Sequence, residues 1–227
     1  MEPNPGPKIT GLLKAKLDNI KMILKKNWDA LIIVDGKERS GKSTLALSIG
    51  AYIDPNLTIN NIAIDNDDAV RKIEKLPPGS VLIVDEGSLM LSGKDAMSKE
   101  QKKLLKILNI VGQKNMVFII VLPSFFALNK ELATNRARFL IHCYTDKALN
   151  RGKFIYFGTD KLQKLYEHGK KNFGSYNWPR ADFPSTFSDY KTPWYDDYLK
   201  TKEKTLIASF ELGKDKKNDT NPLPAKY

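Results

Sequence analysis

The sequence predicts a three-layer α/β fold in which helices cover both faces of a mainly parallel sheet. Short runs of consecutive apolar residues, at 30–34, 81–84 and 116–122, are typical of strands buried on both faces. Segments with apolar residues at helical spacing alternate with these runs, and the links between them are short. The chain of 227 residues, 41% of them hydrophobic, can form one large core but is cramped for two full domains.

The elements follow in chain order. Leu13, Leu17, Ile20 and Leu24 recur at helical spacing, and they predict a basic amphipathic helix over 9–26. After the strand at 30–34, the remaining predictions are a helix over 42–53, a strand at 62–64, a helix over 67–76, a strand at 81–84, helices over 98–114 and 128–137 on either side of a strand at 116–122, strands at 139–144 and 153–157, and a helix over 160–170. We expect the strands at 139–144 and 153–157 to pair as a hairpin.

Changes in composition divide the chain into four regions. A tail and basic helix (1–26) precede the α/β core (27–171), which is followed by an aromatic-rich arm with a final helix (172–210) and a polar tail (211–227) expected to be disordered. The arm has no helical or strand period until the helix predicted over 194–210. We expect its aromatic residues to pack on the sheet or on a neighbouring subunit, and stacking on the bases of DNA is the alternative.

Charge and cysteine content limit the classes of function. The net charge of +11 indicates a polyanionic partner, with a generally solvated basic surface as the alternative. A single cysteine, Cys143, cannot form an intrachain disulfide, which fits a cytoplasmic protein. No apolar run reaches the roughly 18 residues that a membrane span needs, so none is predicted.

The segment GKERSGKS at 36–43 fits G-x-x-x-x-G-K-[ST], the pattern of a phosphate-binding loop (P-loop). It follows a predicted buried strand and opens a predicted helix, which is the context that this motif requires. Its glycines let backbone N–H groups wrap an anion. We expect Lys42 to reach the β- and γ-phosphates of ATP and Ser43 to bind Mg²⁺. The predicted nucleotide-binding residues are Gly36, Lys37, Glu38, Arg39, Ser40, Gly41, Lys42, Ser43 and Thr44.

Two carboxylates, Asp85 and Glu86, follow the apolar run at 81–84. Open α/β sheets bind ligands at the carboxyl ends of their strands. We therefore expect Asp85 to bind Mg²⁺ together with Ser43, and Glu86 to activate an attacking water. Taken alone, the pair is better explained as a polar strand end, and it is the P-loop upstream that favours the catalytic role.

The P-loop and the Asp85-Glu86 pair together resemble the additional-strand (ASCE) branch of P-loop ATPases over roughly 27–159. The segment GQKN at 112–115, then Pro123, then NRAR at 135–138 is similar in order to HerA/FtsK-type motor ATPases, including viral and plasmid DNA-packaging ATPases, and to zonula-occludens-toxin-like phage ATPases. The resemblance implies a RecA/FtsK-like P-loop NTPase fold. In those motors the intermediate strand ends in a polar sensor, whereas here that residue is absent or displaced to Ser124.

The resemblance also implies an arginine that reaches the γ-phosphate of a neighbouring subunit, where its planar fork stabilises transition-state charge. Of the six arginines, Arg136 and Arg138 flank a predicted helix-to-strand turn and are the expected fingers. Ion pairing at the surface is the alternative role of both residues.

The function that the resemblance implies is a Mg²⁺-dependent ATPase that acts as a homo-oligomeric, hexamer-like ring and moves DNA during packaging or transfer by a virus, phage or plasmid. A capsid or transfer apparatus is a further implied partner, and the host cytoplasm the implied location of a virus-encoded protein. Lysines within 94–106 are expected to contact DNA phosphates, or else to form a solvated helix face. A P-loop kinase of nucleotides or other small molecules and a weak-turnover morphogenesis or regulatory switch remain open.

Overall fold

Strand β1 (Ala30–Gly36) lies inside the central sheet and is buried along its whole length. The computed structural model describes residues 6–9, 11–64, 66–85 and 99–204. The other strands within these residues are β2 (Ile62–Ala63), β3 (Val81–Val84), β4 (Val117–Leu122), β5 (Ala137–Tyr144), β6 (Lys153–Gly158) and β7 (Phe183–Thr186). They form one sheet in the order β2-β3-β4-β1-β5-β6-β7.

The pairing of the strands confirms a mainly parallel sheet. Strands β2, β3, β4, β1 and β5 are parallel to one another, whereas β6 is antiparallel to both β5 and β7. The predicted hairpin is therefore present as β5 and β6. Strand β4 lies between β1, which leads into the P-loop, and β3, which leads into Asp85. This inserted strand is the feature from which the additional-strand branch takes its name.

Helices cover both faces of the sheet, as the three-layer prediction requires. They are α1 (Gly11–Leu24), α2 (Lys42–Ile53), α3 (Asn66–Lys75), α4 (Lys99–Gln113) and α5 (Thr159–Lys171). Leu31 and Ile33 of β1 pack in one core cluster with buried residues of α3, α4 and α5. On the other face, Gly50 of α2 approaches the side chain of Ile83. The described part of the chain thus has the predicted three-layer α/β fold.

Helix α1 is packed on the core and is not a free basic arm. Leu13, Leu17 and Ile20 are buried, and they form the apolar stripe that predicted this helix. The hydroxyl of Tyr52 in α2 donates a hydrogen bond of 2.5 Å to Asp18. The ammonium of Lys21 lies 3.8 Å from the centre of the Tyr52 ring. Apolar burial and these polar contacts together hold α1 against α2.

The helix predicted before β5 is present in part, because residues 130–136 are helical. A helix is predicted over 128–137, but the structure has a 3-10 turn at Phe125–Ala127 and a short π-helix at Leu132–Arg136. Strand β5 begins at Ala137 because that residue already pairs with Leu31 of β1. Tertiary pairing has therefore replaced the last residue of the predicted helix.

The arm also differs from its prediction. Periodicity predicts no strand after 171, yet Phe183–Thr186 form β7 and extend the sheet next to β6. The chain divides into two units, Met1–Thr192 and Pro193–Tyr227. The second unit has a helix at 195–204, inside the predicted 194–210, and residues 205–210 lie outside the described residues. No described helix has the length and apolar character that crossing a membrane requires.

Candidate functional site

The carboxyl ends of β1, β3, β4 and β5 form one edge of the sheet, here called the carboxyl edge. The P-loop begins there at Gly36, whose φ of 140° is unfavourable for residues with a side chain. A Cβ at this position would overlap the carbonyl oxygen of Cys143 on β5 and come within 3.0 Å of Ser40 Oγ. Glycine is therefore required at residue 36 both for the backbone conformation and for the close approach of β5.

The other end of the P-loop leads directly into α2. Gly41 has a left-handed conformation, with φ of 94°, and is the residue before the first turn of the helix. Being glycine, it offers no side chain to cap that turn, so the first backbone N–H groups of a 12-residue helix face the loop. Such a helix N-terminus favours an anion. The side-chain hydroxyl of Ser40 is buried and has no hydrogen-bond partner among the described residues, so the loop interior holds an unsatisfied polar group.

Lys42, Ser43 and Asp85 converge at the carboxyl edge. Ser43 Oγ donates to the carboxylate of Asp85, with distances of 3.0 Å and 3.2 Å to its two oxygens. The ammonium of Lys42 donates to the main-chain carbonyl of Lys37 at 2.7 Å and so lies across the loop. Asp85 is buried, at 2% exposure. A hydroxyl and a carboxylate in contact are hard oxygen ligands of the kind that Mg²⁺ prefers, so this pair fits the predicted metal.

The remaining predicted nucleotide-binding residues with side chains are Lys37, Glu38, Arg39 and Thr44. The side chains of Lys37, Glu38 and Arg39 are exposed, and Arg39 has a left-handed φ of 60°. Thr44 is half-buried, and its carbonyl accepts a hydrogen bond from the Ser48 hydroxyl at 2.9 Å. The predicted catalytic Glu86 lies outside the described residues, as does Lys94 of the predicted DNA-binding lysines.

The predicted arginine fingers lie at the opposite edge of the sheet. Arg136 precedes β5 and forms an ion pair of 2.7 Å with Asp29, and it also donates to the Leu108 carbonyl at 3.2 Å. The guanidinium of Arg138 lies 5.4 Å from the ring centre of Trp28. Because β5 runs parallel to β1, these arginines begin the strand at the end away from the P-loop of the same chain. A role at a nucleotide would thus concern a neighbouring subunit.

A buried polar cluster that was not predicted lies beside the P-loop. Asp35, the residue before Gly36, is fully buried, and its Oδ1 lies 2.8 Å from Nδ1 of His142. Its Oδ2 accepts hydrogen bonds from the backbone N–H of Phe125, at 2.6 Å, and from the hydroxyl of Tyr176. The His142 and Tyr176 rings stack at 3.7 Å between centres. The cluster connects β1, the end of β4, β5 and the arm.

The environment of this cluster explains the protonation of Tyr176. Burial and the neighbouring Asp35 carboxylate raise the pKa of the Tyr176 hydroxyl, so it remains a donor. His142, 16% exposed at its side chain, and Tyr176 are the partly exposed members of the cluster. One sequence signal could have identified the cluster: Asp35 ends a buried strand, and a parallel neighbouring strand carries a histidine. Their partnership follows only from the register in which Asp35 pairs with His142.

A separate cleft lies away from this site. It has a volume of about 720 Å³ and lies between the segment after α2 and the turn after α3. Its lining includes Asp54, Asn61, Arg71, Lys72 and Pro78, and none of its lining residues belongs to the P-loop. Lys72 is already paired with Asp68 at 3.0 Å. The cleft is therefore not part of the candidate site.

No protein-family model matches the chain, and no curated protein matches it. Several solved structures are similar to it. The N-terminal domain of zonular occludens toxin from Neisseria meningitidis is 19% identical, covers 74% of this chain and 97% of its own, and has a TM-score of 0.48. The DNA-packaging ATPase B204 from Sulfolobus Turreted Icosahedral Virus is 17% identical, with 60% and 95% covered and a TM-score of 0.42. The genome packaging NTPase B204 from Sulfolobus turreted icosahedral virus 2, in complex with AMPPCP, is 17% identical, with 59% and 94% covered and a TM-score of 0.39.

Proposed function

We propose that this protein is a Mg²⁺-dependent ATPase that drives DNA movement as an oligomeric motor in packaging or transfer. The observation that best supports ATPase activity is the contact of Ser43 with Asp85 beside the P-loop. Lys42 lies across that loop, and the buried hydroxyl of Ser40 needs a partner. A phosphate chain would supply acceptors for both groups, and a metal would take the oxygens of Ser43 and Asp85.

Each group has a defined task in hydrolysis. Lys42 exchanges the carbonyl of Lys37 for phosphate oxygens, and the N–H groups at the start of α2 bind the same anion. Ser43 and Asp85 would hold Mg²⁺, which would supply positive charge that offsets the charge of the phosphates. Glu86 accepts a proton from water as the water oxygen bonds to the γ-phosphorus. The bond from the γ-phosphorus to the β–γ bridging oxygen then breaks, and ADP leaves with the electron pair.

Phosphate release from ATP tests the hydrolysis step. Lys42→Ala and Glu86→Gln should each lower the rate by about a hundredfold or more, since losing one positioned transition-state group costs on the order of 3 kcal/mol. Lys164→Ala, on the exposed surface of α5, is the matched control and should keep the wild-type rate. Wild-type activity in the Lys42 variant would contradict the assignment of the P-loop. Transfer of labelled phosphate to a nucleotide or sugar would identify a kinase instead.

The role in DNA movement rests on the sequence resemblance and on charge. The net charge of +11 greatly exceeds what one nucleotide site uses. A protein that binds DNA through phosphates loses affinity steeply with salt, by about 0.9 log unit per contact for each tenfold rise. We expect DNA to stimulate phosphate release at 50 mM salt and to lose this effect by about 200 mM. If DNA neither binds nor stimulates at low salt, the motor function is wrong while the ATPase stands.

The ring is tested by sedimentation of the full chain with ATP and DNA. A motor with one ATPase core per chain needs several copies, so the proposal expects a large assembly under these conditions. Arg136→Ala should lower phosphate release in the assembled state if this arginine reaches the neighbouring subunit. A strictly monomeric protein in the presence of both ligands would contradict the ring.

A further inference from the structure

The aromatic arm brings one phenylalanine into contact with the P-loop. Phe187 directly follows β7, and its backbone N–H donates to the carbonyl of Gly152 at 2.8 Å. A Cβ built on Gly41 would lie 2.8 Å from Cζ of Phe187, so the ring lies directly against the last glycine of the loop. The ring also packs at 6.3 Å from that of Phe154 and is only half-buried. Strand pairing and ring packing therefore fix Phe187 beside the P-loop with part of its surface open.

The order of the strands indicates which part of a nucleotide would meet this ring. Asp85 follows β3, and in the sheet β3 and β4 lie on one side of β1. Strands β5, β6 and β7 lie on the other side, and Phe187 comes from there. In the proposed site the metal-bound, terminal phosphates lie on the side of Asp85. A phosphate chain that ran from Asp85 across the P-loop would place its nucleoside on the side of Phe187.

The chemistry of the ring suits that end of the ligand. A phosphate gains nothing from a phenyl ring, which has no donor or positive charge, whereas a nucleobase presents a flat aromatic face. Ligand sites combine apolar or aromatic walls with a few polar groups that fix orientation. Stacking of a base on an aromatic side chain tolerates any base, because every base has such a face. An aromatic wall here would strengthen nucleotide binding without selecting adenine.

We infer that Phe187 forms the nucleoside-facing wall of the nucleotide site and contacts the base of the bound nucleotide. This inference rests on the proposed function, because it needs a nucleotide in the P-loop. It gives the arm a role at the site that its sequence, read as a packing or DNA-stacking segment, does not indicate. The inference also divides the binding free energy of the nucleotide into two contributions. The P-loop binds the phosphates, and Phe187 binds the nucleoside.

Calorimetric titration of the full chain with ADP and with pyrophosphate, both with Mg²⁺, tests the inference without hydrolysis. Phe187→Ala should weaken ADP binding about tenfold, equal to about 1.4 kcal/mol, and leave pyrophosphate binding within about twofold. Phe187→Tyr should restore ADP binding because it keeps the aromatic face. Phe173→Ala is the matched control, since Phe173 lies on the same arm and is fully exposed; both affinities should equal those of the wild type.

Three outcomes would overturn the inference. An equal loss of ADP and pyrophosphate affinity would mean that the ring only supports the shape of the P-loop. Unchanged ADP affinity in Phe187→Ala would mean that the ring does not touch the nucleoside. Failure of the wild-type protein to bind either ligand would instead refute the proposed function, and the inference with it. Phe187→Leu keeps apolar packing on Phe154, so the same ratio of affinities can be measured if the alanine variant unfolds.

Discussion

Replacing Gly36 by alanine should destabilise the protein strongly, because two separate costs meet at this residue. Its φ of 140° is unfavourable for alanine, which costs about 1–3 kcal/mol. The added methyl group would also overlap the Cys143 carbonyl, which belongs to a paired strand and cannot rotate away. Forcing atoms into a packed interior costs a further 1–3 kcal/mol, roughly. We expect a combined loss of about 4 kcal/mol, or about 8–16 °C in Tm for a chain of this size.

Gly79→Ala separates these two costs. Gly79 also has a positive φ, 81°, but a Cβ there would meet nothing within 4 Å. This variant should therefore lose only the backbone term, on the order of 1 kcal/mol. Thermal unfolding followed by circular dichroism measures both variants, and titration with ADP at a temperature where each is folded measures the site. If Gly36→Ala unfolds at the same temperature as Gly79→Ala, the close approach of β5 is not what requires glycine.

Three further variants test other parts of the structure. Tyr176→Phe removes the hydroxyl donor to Asp35 and should lower the free energy of unfolding by about 1–3 kcal/mol in urea titrations, since a buried carboxylate loses a hydrogen bond; no change would mean that this bond is not formed. Contact with the Lys153 ammonium holds the pKa of Asp146 well below its usual range, so Asp146 stabilises the fold above about pH 4, and this contribution is lost as the pH falls below that value. Asp146→Asn should therefore be less stable than the wild type at pH 6, with a gap that narrows toward pH 2; a gap independent of pH would contradict this. Leu17→Ala should cost about 2–5 kcal/mol because the side chain is fully buried, whereas a free N-terminal helix would lose almost nothing.

The sequence predicts the central strands well because of how they are buried. Strands β1, β3 and β4 are covered on both faces, so each is a continuous apolar run whose ends are marked by polar or turn residues. Among the described strands, β7 is at the end of the sheet and pairs only with β6, and alternate residues in it are exposed. It contains Pro184, which argues against a strand in a sequence but is tolerated where one side has no partner. Its place in the sheet depends on pairing with β6, which no local sequence pattern predicts.

The same distinction separates the predicted from the unpredicted parts of the site. The P-loop could be predicted because its residues are contiguous and because a strand and a helix flank them. Asp35 contacts His142 over 107 positions in the sequence and Tyr176 over 141. Such contacts depend on strand order and register, which the residue types alone do not specify.

A residue of the arm lies near each of the two glycines of the P-loop. The candidate site therefore extends beyond the motif residues into the arm. Tyr176 donates to Asp35, directly before Gly36, and Phe187 lies against Gly41. A core that ended at residue 171 would hold every motif residue but neither of these aromatic side chains. It would also expose the free edge of β6, which β7 covers. The arm completes the sheet and contacts both Asp35 and Gly41, so we expect substitutions that displace Tyr176 or Phe187 to change nucleotide binding at the P-loop.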